Sequence, residues 1–217
     1  MEFMGRSYVA KLGVLLIASS WSSVAVAGTH DGSTVQITVV VNDHAGVSAA
    51  VLNQAETVAS RIFGAGGIEV AWVNCSGGGA QGACRVTGGS GEFVLQIVPT
   101  GKTSTDSVFG MAFLGQDGSG KYCDVFFDRI AEAHRSFGTD KSQLLGTVVA
   151  HEIGHLLLGS HAHSQIGIMA PVWAEENLRN ISMGHLLFTR EQSFLMKART
   201  GRQDQRLAGL RLRQGEN

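Results

Sequence analysis

The chain is poor in features that mark several large protein classes. Its 217 residues include two prolines and two tyrosines, and only 16% are charged. No block of like charge occurs, which argues against a wholly disordered chain. Seventeen Lys and Arg stand against eighteen Asp and Glu, a net charge of −1. Phosphate backbones select basic surfaces, so no nucleic-acid partner is expected. The three cysteines contain no C-x-x-C pair, which removes the usual cysteine zinc site. After residue 27 no run is long and apolar enough to span a bilayer. Glycine is abundant instead, at 29 residues, but has no three-residue period, so collagen is excluded and long connections are implied. The length suits one globular core.

Residues 1–27 read as a signal peptide. Arg6 and Lys11 give a positive start, Leu12–Ile17 opens an apolar run, and Ala25-Val26-Ala27 supplies small residues for cleavage before Gly28. A secreted or periplasmic protein is expected, with no stable membrane insertion after cleavage. Outside the cytoplasm, Cys75 and Cys84 can close a disulfide around the glycine-rich residues 76–83. Cys123 then reads as a buried free thiol.

Hydrophobic periodicity predicts a mixed α/β (α+β) domain over 28–199. Strands are expected at Thr34–Val41, Ile68–Val73, Glu92–Val98, Val108–Leu114 and Tyr122–Phe127. Helices are expected at Val47–Phe63, Arg129–Arg135, Ser142–Leu158 and Ala174–Lys197. Val108–Leu114 suits a sheet-edge strand and an ordinary core strand equally. Asp117-Gly118-Ser119-Gly120 reads as a polar turn in preference to a calcium loop. Residues 200–217, with four arginines, read as a solvated and partly frayed tail.

Four of the eight histidines fall between positions 151 and 163. His151 and His155 are one helical turn apart and project from one face, where two imidazole nitrogens can hold zinc. Glu152 lies beside the first, placed to reach a water without ligating the metal. This is H-E-x-x-H with its mechanism attached. Gly159 can end the helix at positive φ and turn the chain back, bringing His161 and His163 within reach. Gly167-Ile168-Met169-Ala170-Pro171 forms a further turn carrying a methionine.

The stretch HEIGHLLLGSHAHSQIGIM resembles the zinc signature and Met-turn of the metzincin metalloproteases, the clan containing matrix metalloproteinases and astacins. The resemblance extends in organisation over about residues 34–200. It implies a mixed twisted sheet with a long helix, an active-site helix and a C-terminal helix. It further implies zinc bound by His151, His155 and a third histidine, Glu152 as general base, and Met169 as an apolar floor. The usual pattern sets glycine three residues after the second histidine, where this chain has Leu158. Counting from His155 gives His161 as third ligand; counting from Gly159 falls on Ala162 and leaves both flanking histidines open. A narrower resemblance, to exported bacterial proteins with H-E-x-G-H-L-L-L-G, favours His163.

The resulting expectation is a secreted zinc endopeptidase acting on peptide or protein substrates. Two alternatives stand beside it. One is a thermolysin-like zinc peptidase whose third ligand is Glu175, twenty residues after His155. The other is a non-catalytic exported protein that keeps the fold and binds metal or peptide. The shifted glycine and the absence of any tyrosine after Met169 motivate the latter.

Overall fold

The computed structural model describes residues 34–75, 84, 89, 91–101, 108–173 and 175–214; side chains at 175 and beyond 202 fall outside the description. The expected signal peptide and the Gly28 start lie outside the described residues.

The β-branched Val35–Asp43 forms β1. Ala49–Ala65 follows as α1, opened by Ser48, whose hydroxyl accepts the Val51 N–H at 3.4 Å. Strands β2 (Ile68–Asn74), β3 (Glu92–Val98), β4 (Gly110–Phe113) and β5 (Tyr122–Phe126) come next. Helices α2 (Phe127–Phe137), α3 (Lys141–Leu158), α4 (Glu175–Ser182) and α5 (Arg190–Gln214) complete the order. This is the expected mixed α/β class. The sheet runs β2-β1-β3-β5-β4, parallel except for β4, which lies antiparallel to β5 at the edge. Of the two readings of Val108–Leu114, the edge strand is the one found. Cys75 and Cys84 form a disulfide, and Cys123 is a buried free thiol.

Alternate strand residues Ile37, Val39, Val41, Leu95, Ile97 and Val125 join α1 and α3 in one core. Helix α3 is buried on nearly every side, which only a sequence apolar all round allows. Asp140 caps its start, accepting the Ser142 and Gln143 N–H groups at 2.9 and 3.0 Å. Its approach to α1 depends on Gly146, where a Cβ would meet the Ala55 carbonyl and lie 2.7 Å from Val58 Cβ.

The C-terminal region departs from expectation. In place of one helix over 174–197 there are two, separated by residues 183–189. Gly184, at φ 72°, ends α4, and the His185 N–H returns to the Asn180 carbonyl at 2.7 Å. Thr189 and Gln192 then cap α5 reciprocally: the Thr189 N–H donates to Gln192 Oε1 at 2.9 Å, and the Gln192 N–H to Thr189 Oγ1 at 3.2 Å. The backbone of α5 continues through Gln214, where a frayed tail was expected.

Gly146→Ala should overpack the α1–α3 contact and lower stability by about 1–3 kcal/mol. Urea unfolding of the variant would check this through a reduced midpoint with an unchanged slope.

Candidate metal centre

Helix α3 carries His151, Glu152 and His155 into the interior, where they are 9%, 6% and 4% exposed. The distal nitrogen of each histidine is defined by what holds its other nitrogen. His151 Nδ1 lies 2.7 Å from the Ile168 carbonyl, and His155 Nδ1 lies 2.8 Å from the Ser160 carbonyl. A carbonyl only accepts, so both Nδ1 atoms carry the proton and donate. Both Nε2 atoms therefore present lone pairs, and they face each other at 3.1 Å. Two acceptors at that distance cannot satisfy one another. A cation between them can: two nitrogens on tetrahedral zinc sit ~3.3 Å apart, from bond lengths of about 2.0–2.1 Å.

His163 completes the group. Its ring stacks on His151 at 5.5 Å and meets His155 edge-on at 4.9 Å. Ligand atoms of His151, His155 and His163 all lie within 4.8 Å of one another, so the three could hold a metal ion. His161, the other candidate, lines the same cleft but is exposed, with its ring 6.0 Å from that of His155. Glu175 begins α4, and its side chain lies outside the described residues.

The return of the chain after α3 makes this arrangement. Gly159 adopts φ 65°, and its N–H closes on the His155 carbonyl at 2.8 Å. The Ser164 N–H donates to the Met169 carbonyl at 2.9 Å, and Gln192 Nε2 donates to Ser164 Oγ at 2.9 Å. The residue following His163 is thus tied both to the 167–170 turn and to α5. Met169 is fully buried against α3, its sulfur 2.9 Å from where a Cβ on Gly154 would stand.

Electrostatics agree with a neutral ligand set. Burial pushes His151 down to about 4, with His155 and His163 adding to the effect and the Ile168 hydrogen bond opposing it. Burial also lowers His155 and His163. Glu152 is driven up to about 8 by burial, against a hydrogen bond from the Ala112 backbone. The Cys123 thiol is pushed well above its usual range by burial and then by Glu152 and Asp124.

A cleft of ≈ 220 Å³ opens over these groups, lined on its far side by Val108 to Ala112 and closed by Ala170, Pro171 and Trp173. The Phe126 N–H donates to the Phe109 carbonyl at 2.9 Å. Antiparallel pairs alternate, so Met111 and Phe113 also face β5, whereas the peptide groups of Gly110 and Ala112 face away from it, the Ala112 N–H being taken up by Glu152. Trp173 stacks on Phe109 at 6.0 Å, meets His151 edge-on at 5.6 Å, and donates its Nε1–H to the Ile168 carbonyl at 3.3 Å. Trp173 and Gln192 were not singled out from sequence, and Phe109 and Gly110 only as members of the Val108–Leu114 stretch. Only Gln192 had a legible signal, the T-x-x-Q cap. Asp117 turns back on its own loop, accepting the Ser119 N–H and hydroxyl at 2.9 and 2.7 Å.

Solved structures similar to this chain include the following two. One is an archaemetzincin from Methanopyrus kandleri, at 16% identity and TM-score 0.46, covering 79% of this chain and 98% of that one. The other is a zinc-dependent peptidase from Methanocorpusculum labreanum, at 15% identity and TM-score 0.49, covering 74% and 99%. No family model and no curated protein sequence matches the chain.

Gly110 touches the site directly: a Cβ there would lie 2.7 Å from Glu152 Cγ, 2.8 Å from its Oε1 and 2.7 Å from the Asp124 carbonyl. Gly110→Ala should therefore displace β4 or Glu152 and cost about 1–3 kcal/mol. Denaturant unfolding measures the loss, and a crystal structure of the variant would show which of the two moved.

Proposed function

We propose that this chain is a zinc-dependent endopeptidase of the metzincin type, exported through residues 1–27. The observation that carries the reading is the pair of Nε2 lone pairs on α3, joined by His163 and set beside the buried Glu152 under the edge strand β4. The weight rests on these groups of this chain. His151, His155 and His163 would hold the zinc. When bound, zinc supplies Lewis acidity, polarising a carbonyl oxygen and bringing the pKa of water toward about 7.

The chain's own residues supply the rest. The Gly110 peptide group and the Ala112 carbonyl receive an extended substrate by strand addition, which fixes its backbone across the cleft. Phe109 and Trp173 exclude water at one end of that cleft. Glu152 accepts a proton from the attacking water and returns it to the departing amine, the two halves of general acid–base catalysis. Met169 packs the turn whose carbonyl at 168 orients His151. The Cys75–Cys84 disulfide supports an oxidising compartment, in accord with export.

Casein digestion with and without a chelator tests the activity. Chelator-sensitive cleavage that disappears in Glu152→Ala is expected; stoichiometric zinc without turnover on any peptide library would identify a binding module instead. The secreted protein should begin near Gly28 by mass analysis, with no further segment removed for activity; a start well beyond Thr34 that appears together with activity would count against this.

Zinc content tests the ligand set. His151→Ala and His155→Ala should each lose the metal, and His163→Ala nearly so. His161→Ala and Glu175→Ala should retain it. Loss in Glu175→Ala with both loop histidines dispensable would replace this design by the thermolysin-like one.

A further inference from the structure

The His155 lock depends on where the Ser160 carbonyl stands, one residue past the left-handed Gly159. Something must hold that turn, because it leaves the buried helix for a loop whose next residues, from His161 to His163, are exposed. The group that covers it is Arg199, from α5. A Cβ built on Gly159 would collide with Arg199 Cζ, Nη1 and Nη2, so the guanidinium plane lies directly against the glycine. Arg199 Nη2 also donates to the Gly118 carbonyl, at 2.7 Å and across 81 residues of sequence. Gly118 in turn packs on Gly159: a Cβ at Gly118 would stand 2.5 Å from the Gly159 carbonyl oxygen. One guanidinium therefore joins the C-terminus of α3, the connection between β4 and β5, and α5. Its charge also sits at the negative end of the α3 dipole. Nε is buried with no hydrogen-bond partner among the described residues. The side chain is thus held by its plane and its Nη reach.

We infer that Arg199 is a positioning residue for the metal centre. It fixes the Gly159–Ser160 turn that keeps the His155 proton on Nδ1, and through Gly118 it fixes the strand connection behind the β4 wall of the cleft. This rests on the metal-site reading above. A lysine keeps the charge but lacks the planar fork that covers Gly159 while reaching Gly118.

The full chain carrying Arg199→Ala or Arg199→Lys is compared with wild type in three measurements: zinc affinity by chelator competition, the visible spectrum of the Co(II)-substituted protein, and the tautomer of His155 by ¹⁵N NMR without metal. Arg61→Ala is the matched control. Arg61 also lies against a left-handed glycine, Gly184, and donates to its carbonyl, but touches none of the site residues described above. Arg199→Ala should weaken zinc about 10–100-fold, the usual effect of losing a group that orients a ligand. It should also shift the Co(II) bands and admit the Nε2–H tautomer of His155. Arg199→Lys should recover only part of this, and it carries the test if the alanine variant does not fold. Arg61→Ala should lower stability and leave all three readouts unchanged. The inference is overturned if zinc affinity and tautomer are unaltered in Arg199→Ala, if Arg61→Ala produces equal changes, or if lysine restores everything. Should wild type bind no zinc, the metal reading fails, and the metal-free tautomer comparison still decides the role of Arg199.

Discussion

Two backbone carbonyls set the chemistry of this molecule. Ile168 and Ser160 each hold an imidazole by Nδ1 and leave a lone pair on Nε2. Without them His151 and His155 would be two buried rings free to pair with each other through one proton. With them, both rings are acceptors aimed at one point. Neither carbonyl belongs to α3; both come from the segment that follows it. The metal-facing atoms are therefore a property of how the chain leaves the helix, and the contacts stabilising that exit belong to the centre as much as the histidines do. The Ile168 N–H is itself tied to the Leu187 carbonyl at 2.9 Å, so that one residue also holds the exit in place.

Placing three polar side chains on a helix buried from all sides is costly, since each loses water and none pairs with an opposite charge among the described residues. The fold offers that helix close contact in return. Gly146 lets α1 approach, Gly110 lets β4 approach, and Gly154 leaves room for Met169 and Phe188. Each approach adds dispersion contacts that a larger residue would forbid. The result is a dry scaffold in which charge is uncomfortable until a cation arrives.

Much of this was legible in the chain itself. β-branched runs and helical spacing located the five strands and the first three helices, with ends shifted by a few residues where caps such as Ser48 and Asp140 decide the boundary. The H-E-x-x-H spacing located the centre because a helical period puts positions 151 and 155 on one face whatever surrounds them. The C-terminal half was less legible. Apolar residues on either side of Gly184 keep a helical rhythm, which masks the break, although the Thr189–Gln192 cap was there to be seen. Trp173, Phe109 and Arg199 act through contacts across long sequence separations, and no local pattern encodes those. The choice between His161 and His163 likewise turned on the path of a loop, which spacing alone does not fix.

Gly159 stands four residues after His155, one later than in the pattern the sequence resembles, and α3 runs through Leu158 before it turns. An added helical residue swings the exit by about 100° and advances it ~1.5 Å. His163, and not His161, is the ring that reaches the other two, four residues beyond the glycine. In this chain a residue added on one side of Gly159 alone would swing the His163 ring away from His151 and His155. The register of the loop to the helix end thus decides which histidine becomes the third ring.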